Sequence, residues 1–355
     1  MKLKPLDIDL HKIKKCAYFT DIHFGKKQND VGHNQDCLDF IDWFIDNVKK
    51  DPEINTIAFL GDWFENRNAI NVQTFDMAYQ GARKLNSLGI PVIFVEGNHD
   101  LYFRSNRAVS SVRSYQEFDN FVLVNEPKII DRTLFSPYLF GDEYEEMKKT
   151  LKTIDIVAGH FEFKNFIITG YNTRMKHGAD HTEFTGPKHI FSGHFHKRQA
   201  HDHVCYIGSA FPYDFSDAND FERGMMICDH QTFDVDFKDW VECPKYVKIK
   251  YSKIGKQWNP GSKATVRCVL DKALSFSDKQ LIREQMIEKF SLRGFSFEEQ
   301  TTDKEDDDKD LEGIKIQSID TIVAELLNQI EDTPSIDKST LIEIFQGLKT
   351  DESKA

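Results

Sequence analysis

No stretch of this 355-residue chain approaches the roughly 18 consecutive apolar residues of a membrane-spanning helix. Its first fourteen residues mix Lys, Asp, Leu and His without a continuous apolar core, so they read as a short leader (1–14), not a secretory signal. Cysteine is sparse and scattered. Cys16, Cys37, Cys205, Cys228, Cys243 and Cys268 form no close pair, which argues against a disulfide framework or zinc knuckle and for a reducing, cytoplasmic compartment. Positive charge is also missing: the formal net charge is −12. That deficit is local. From Ser296 onward 17 Asp and Glu face 6 Lys and Arg, a net of −11, which leaves about −1 (−12 less −11) for everything before it. The acidity belongs to the tail and says little about the body of the chain.

What is present is a series of short apolar runs, each closed by residues that bind hard or borderline cations. Cys16–Phe19 ends in Thr20-Asp21-Ile22-His23, Thr56–Leu60 in Gly61-Asp62, and Val92–Val95 in Gly97-Asn98-His99-Asp100. Helical spacing near 34–49 and 72–88 separates them, a β-α-β-α-β pattern that places the polar residues at the carboxyl ends of parallel strands, where open α/β sheets carry their ligands. Two residues apart on an extended segment, Asp21 and His23 would project to one side and grip one ion. Strand-like segments near 121–124, 128–130 and 134–139 and a charged helix near 142–151 come next. Ile154–Ala158 then ends in Gly159-His160, and Lys188–Ser192 in Gly193-His194-Phe195-His196, with the same alternation. Segments at 206–208, 225–227 and 233–235 complete what reads as a second sheet.

Taken in order, Asp21-His23, Gly61-Asp62, Gly97-Asn98-His99-Asp100, Gly159-His160 and Gly193-His194-Phe195-His196 resemble the calcineurin-like metallophosphoesterase signature. Within that superfamily the chain resembles the SbcD-type nucleases of double-strand-break repair, in their phage branch, with supporting stretches at Met175-Lys176-His177-Gly178 and Tyr206-Ile207-Gly208-Ser209. The fold so implied is α/β, a four-layer α-β-β-α sandwich (15–244) with a small α+β DNA-capping domain (245–300). The resemblance implies two divalent metal ions, one held by Asp21, His23, Asp62 and His196. The other is held by Asp62, Asn98, His160 and His194, with Asp62 bridging. Mixed nitrogen and oxygen ligands without thiolate suit manganese or iron better than a structural zinc site, and the resemblance implies Mn²⁺. His99 matches the family's general acid, with Asp100 orienting its ring. The implied activity is a 3′→5′ exonuclease on duplex ends and an endonuclease on single strands, acting on DNA in a homodimer, in the host cytoplasm if phage-encoded.

One position departs from that pattern. Where many SbcD-type enzymes carry a phosphate-contacting histidine, this chain has Glu65, which would repel phosphate unless protonated or turned toward an arginine such as Arg67. Lys26, Lys27, Arg104, Arg107, Arg174, Lys176, Lys197 and Arg198 lie in loops beside the metal-type motifs, as a solvated rim or as contacts to the DNA backbone. His201-Asp202-His203 reads as a surface strand without a partner cluster, and His177, His181 and His189 as loop residues. Beyond 245, segments at 246–251, 264–270, 277–290 and 295–297 suggest the cap, followed by an acidic linker (301–316). Ile319, Ile322, Val323, Leu326, Leu327 and Ile330, then Leu341, Ile342, Phe345 and Leu348, form apolar stripes (317–349) that must bury against the body or a partner. In the SbcD-type family the corresponding tail binds the coiled coil of an SMC-like ATPase of the SbcC type. A phosphatase or small-molecule phosphodiesterase using the same metals, and a non-catalytic scaffold on the same fold, are the competing readings. Against them stand Glu65-Asn66 and Asp100, where phosphoprotein phosphatases have an Asp-Arg pair and a glutamate, and a complete ligand set, which scaffolds have usually lost.

Overall fold

The computed structural model describes residues 12–168 and 173–299; the stripes and linker expected over 301–349, and nearly all of the leader, lie outside them. Parallel pairing joins β1 (Lys15–Phe19), β2 (Ile54–Phe59), β3 (Val92–Val95) and β4 (Phe121–Val124) in that order. Side chains two apart leave a strand on the same side. Phe19, Ile57, Phe59 and Phe94 therefore enter one core, and Tyr18, Ala58, Ile93 and Val95 another. Two helices, α1 (Val31–Lys50) and α2 (Val72–Asn86), cover the first of these cores. Caps set where they begin: Asp30 accepts from the His33 N–H at 2.7 Å and Asn71 from the Gln73 N–H at 2.9 Å.

The second sheet runs β5 (Lys128–Ile130), β6 (Thr133–Ser136), β7 (Ile156–His160), β8 (His189–Gly193), then β9 (Gln199–His201) and β10 (Val204–Tyr206), with β10 between β8 and β9. Its outer face is covered by α3 (Glu143–Thr150), whose Met147 packs with Val157 and Ile190. Its inner face meets the first sheet through Phe135, Ala158 and Phe191. The four layers are α-β-β-α, as the motifs implied. One assignment changes. β11 (Gly224–Asp229) and β12 (Val235–Asp239), expected in the second sheet, return to the first, with β11 antiparallel to β1 and Ala17 opposite Ile227. An apolar run specifies a strand but not its neighbour, and Met226 and Cys228 fill the inter-sheet core from the β1 side.

A third sheet is wholly parallel: β13 (Lys245–Lys250), β14 (Ala264–Leu270) and β15 (Gly294–Glu299), with α4 (Phe276–Phe290) crossing between the last two. Val247, Val266, Cys268 and Phe295 form its core under Ile282 and Met286. It is tied to α1 by ion pairs. The Arg293 guanidinium engages both oxygens of Asp36, reaching Oδ1 at 2.6 Å, and Lys263 meets Asp39 at 2.8 Å. Asp36 is 2% exposed and Arg293 35%. Arg293→Ala strands a buried carboxylate and is expected to cost about 3 kcal/mol, near the low end for such a loss because the guanidinium is partly in water. Urea unfolding of the variant, with Arg293→Lys as the intermediate case, measures it. Among the described residues no helix is long and apolar enough to cross a membrane.

Candidate metal centre

The loops after β1, β2, β3, β7 and β8 converge at one end of the two sheets, and two glycines let them approach. A Cβ at Gly97 would stand 2.3 Å from both the N and Oδ1 of Asp62, and one at Gly193 would stand 2.1 Å from Thr20 Oγ1. The backbone is left-handed at Asp21 (φ 48°), His23 (φ 51°), Asp62 (φ 62°) and His194 (φ 88°). Asp21 and His23 thus converge through a coiled loop, not through the strand alternation expected of them. Such conformations cost about 1–3 kcal/mol each and persist where surrounding structure imposes them.

Three groups of donor atoms result, each within 4.8 Å: Asp21, His23 and His196; Asp62, His160 and His194; and His23, Glu65 and His99, which overlaps the first at His23. His196 falls in the first group and His194 in the second, the division the resemblance implied. Asp62 Oδ2, in the second of these groups, lies 3.3 Å from His160 Nε2 and also 3.8 Å from His23 Nε2 of the first. Asn98 Oδ1 lies 3.0 Å from His160 Nε2 and 2.9 Å from His194 Nδ1. Outer contacts fix the rings. His160 Nδ1–H donates to Leu60 O at 2.7 Å, Glu162 Oε2 sits 3.3 Å from His194 Nε2, and the His33 ring donates to His23 O at 2.9 Å. The ring of Tyr213 packs edge-on against His23 and His196.

These residues fit divalent cations. The buried Nε2 of His23 has no hydrogen-bond partner among the described residues, and one amide oxygen faces two imidazole nitrogens. Electrostatics agree. Burial works against charge on His23, but Asp21, Glu65 and Asp62 raise it to about 9; burial likewise opposes charge on His160, and Asp62 raises it to about 9. Burial and then the His23 charge lower His196 to about 3. The metal-free centre therefore holds protons that cations must displace. A raised pKa binds protons below about 9, so metal affinity is expected to climb with pH from about 6.5 to 9. With two protons released the slope approaches about 100-fold per pH unit. The same protons stabilise the metal-free fold fully below about 6.5, a contribution lost as pH rises through about 9. Calorimetric Mn²⁺ titrations at three pH values in two buffers count the protons; affinity flat with pH contradicts the scheme.

Two expected roles change. Asp100 does not orient His99. Its buried carboxylate accepts from the backbone N–H groups of Asp62, Trp63, Phe64 and Gly97 at 2.9–3.1 Å and so holds the β2 and β3 loops together. The His99 ring is oriented by the Glu65 carbonyl, which accepts from Nδ1 at 2.7 Å. Glu65 itself turns to His23 Nδ1 (2.8 Å) and Lys26 (3.4 Å), not to Arg67; against the cost of burial, these cations hold its carboxyl well below the usual range.

The basic set divides. Lys26 pairs with Glu65, Lys27 stacks on Tyr246, Arg107 clamps Glu143, Arg174 donates to Asn165 O, and Arg198 pairs with Asp239 over the Phe237 ring. Arg104 and Lys176 are exposed and Lys197 half-exposed. Sequence reading missed Glu162, His33 and Tyr213 as supports of the rings. His201-Asp202, expected to stand alone, meets His181.

Two adjacent three-donor groups with a carboxylate oxygen between their imidazoles suit metal-assisted phosphoester hydrolysis, which clamps the reacting phosphate between two cations. The protein is accordingly a metal-dependent phosphoesterase. Residues 14–198 match the calcineurin-like phosphoesterase family, and the chain belongs to it. It is 26% identical over 349 residues to exonuclease subunit 1 of Enterobacteria phage T4, covering 94% of this chain and 98% of that one. To the DNA double-strand break repair protein Mre11 of Methanocaldococcus jannaschii it is 24% identical over 276 residues, 71% of this chain and 73% of that one. A dimetal phosphatase from Danio rerio is similar in structure at a TM-score of 0.40 and 9% identity, over 61% of this chain and 92% of that one.

Proposed function

We propose that the chain is a Mn²⁺-dependent DNA nuclease of recombination and double-strand-break repair, a 3′→5′ exonuclease on duplex ends and an endonuclease on single strands. The observation that carries the chemistry is Asp62 Oδ2, set between the imidazoles of His23 and His160. Full-length similarity to a phage exonuclease subunit favours DNA over other phosphoesters. Asp21, His23, Asp62 and His196 would hold one cation, and Asp62, Asn98, His160 and His194 the other. When bound, the cations supply Lewis-acid activation of water and of the scissile phosphate. His99 keeps Nδ1–H on the Glu65 carbonyl, so Nε2 is the nitrogen free to meet the leaving 3′ oxygen, and burial, which lowers the ring's pKa, makes its protonated form the stronger proton donor. Asp100 keeps the loops carrying Asp62 and His99 in register. Arg104, Lys176 and Lys197 are the members of the basic set left to meet the DNA backbone.

Cleavage of end-labelled duplex DNA with Mn²⁺, beside a phosphopeptide and bis-p-nitrophenyl phosphate, tests this reading. DNA shortening from the 3′ end is expected; phosphopeptide turnover with intact DNA would overturn it. Residues 245–299 form the DNA cap in this proposal. A second copy would dock along α2, where Val72, Phe75 and Tyr79 form an exposed apolar row. The apolar stripes of 317–349 would bind an SMC-like ATPase. A chain ending before Asp303 is expected to melt like the full chain and keep nuclease activity on short substrates, since the cores of the described residues and the proposed ligands precede that point. It should nevertheless fail to co-purify with the ATPase, as should Leu326→Asp with Leu327→Asp. A marked drop in melting temperature with partner binding intact would assign the stripes to the body instead.

A further inference from the structure

We propose that His181, His201 and Asp202 form a further divalent-cation site, of the zinc type, separate from the groups on either side of Asp62. His181 Nε2 lies 3.1 Å from His201 Nδ1 and 3.3 Å from Asp202 Oδ2, and His201 Nδ1 lies 2.9 Å from the same oxygen. A tetrahedral zinc ion with bonds of about 2.0–2.1 Å has ligand-to-ligand edges of about 3.3 Å. The triangle already has nearly those edges, so a cation enters with shifts of a few tenths of an ångström. Two imidazole nitrogens and one carboxylate oxygen select a zinc-type cation over calcium or magnesium, which take oxygen ligands.

The geometry is set by its surroundings. His181 is 4% exposed, its ring packs edge-on against Phe166 at 5.2 Å, and its buried Nδ1 has no hydrogen-bond partner among the described residues. Asp180 accepts from the Thr182 N–H at 3.1 Å and starts the turn His181–Glu183. Asp202 has φ 52° in the two-residue turn between β9 and β10, a conformation that Asp tolerates and that folds its carboxylate back over His201. His203 donates to Phe184 O at 2.9 Å, which lays this turn against the His181 segment. His201 and Asp202 are 62% and 57% exposed, so a cation has access and water can complete its shell.

Strand register separates the site from the Asp62 groups. β10 runs parallel to β8 with Val204 opposite Ile190, and His201 is opposite Val204. The cluster therefore lies at the amino end of β8, whereas His194 follows its carboxyl end. Its ligands come from two segments, so a bound cation staples the edge hairpin to the 181–184 turn. This role does not depend on the nuclease reading.

Diffraction at the zinc absorption edge from crystals of the full chain grown with Zn²⁺ is the direct test. A peak bonded to His181 Nε2, His201 Nδ1 and Asp202 Oδ2 is expected, and it should vanish in His201→Ala, an exposed substitution that leaves the fold intact. In solution, Co²⁺ titration should show one equivalent fewer in His201→Ala and Asp202→Asn than in the unaltered chain. Hydrolysis of bis-p-nitrophenyl phosphate by these variants should stay within about twofold. An Asp62 centre occupied by zinc with no peak at His181 would overturn the proposal, as would equal stoichiometry in the variants. A peak at His181 with the Asp62 centre empty would uphold it and count against the dimetal reading alone.

Discussion

Asp62→Asn is expected to lose bound Mn²⁺ and DNA cleavage together, by about 10³-fold or more in rate. The amide preserves size and an oxygen for the His99 N–H, which now donates to Oδ1 at 2.8 Å, so the loop should survive. What disappears is the negative charge at Oδ2, 3.8 Å from His23 Nε2 and 3.3 Å from His160 Nε2. Two dications cannot sit side by side without it. Metal assistance contributes several kcal/mol, and each 1.36 kcal/mol is a decade in rate. The measurement is metal content by mass spectrometry beside single-turnover cleavage. A variant with both metals and near-normal cleavage would sink the bridging role.

His99→Ala should behave differently: both metals retained, and turnover slowed about 10²–10⁴-fold, the usual contribution of a positioned proton donor. No proposed ligand is removed, and among the described residues the ring's one hydrogen bond is to the Glu65 carbonyl, beside edge-on packing against His23. Asp100→Ala supplies the contrast. It strands four backbone donors around a buried site, so it should lose metal as well as rate and lower the melting temperature. Loss of both metals in His99→Ala would make that residue a ligand; retention of both in Asp100→Ala would return Asp100 to the chemistry.

The α/β character was legible because its strands are short, continuous apolar runs and its helices carry period 3.6, both local properties; the four-layer sandwich came from the resemblance of the motifs. Legible too was the placement of polar residues after strand ends: Asp21, Asp62, Asn98, His160 and His194 all follow or end an apolar run. Which run lies beside which was not legible, and β11 and β12 moved to the first sheet because either inter-sheet face would accept Met226 and Cys228.

Residue type and spacing along the chain by themselves determined the fold class and the inventory of cation-binding side chains, since burial and ligand chemistry are carried by each residue. Only the tertiary structure decided who meets whom. Asp100 becomes a backbone clamp; Glu65 turns to Lys26 and His23. His181 and His201, twenty residues apart, come within hydrogen-bonding distance. Left-handed turns and close glycine contacts set these directions over a few ångströms, a scale at which spacing along the chain carries no information.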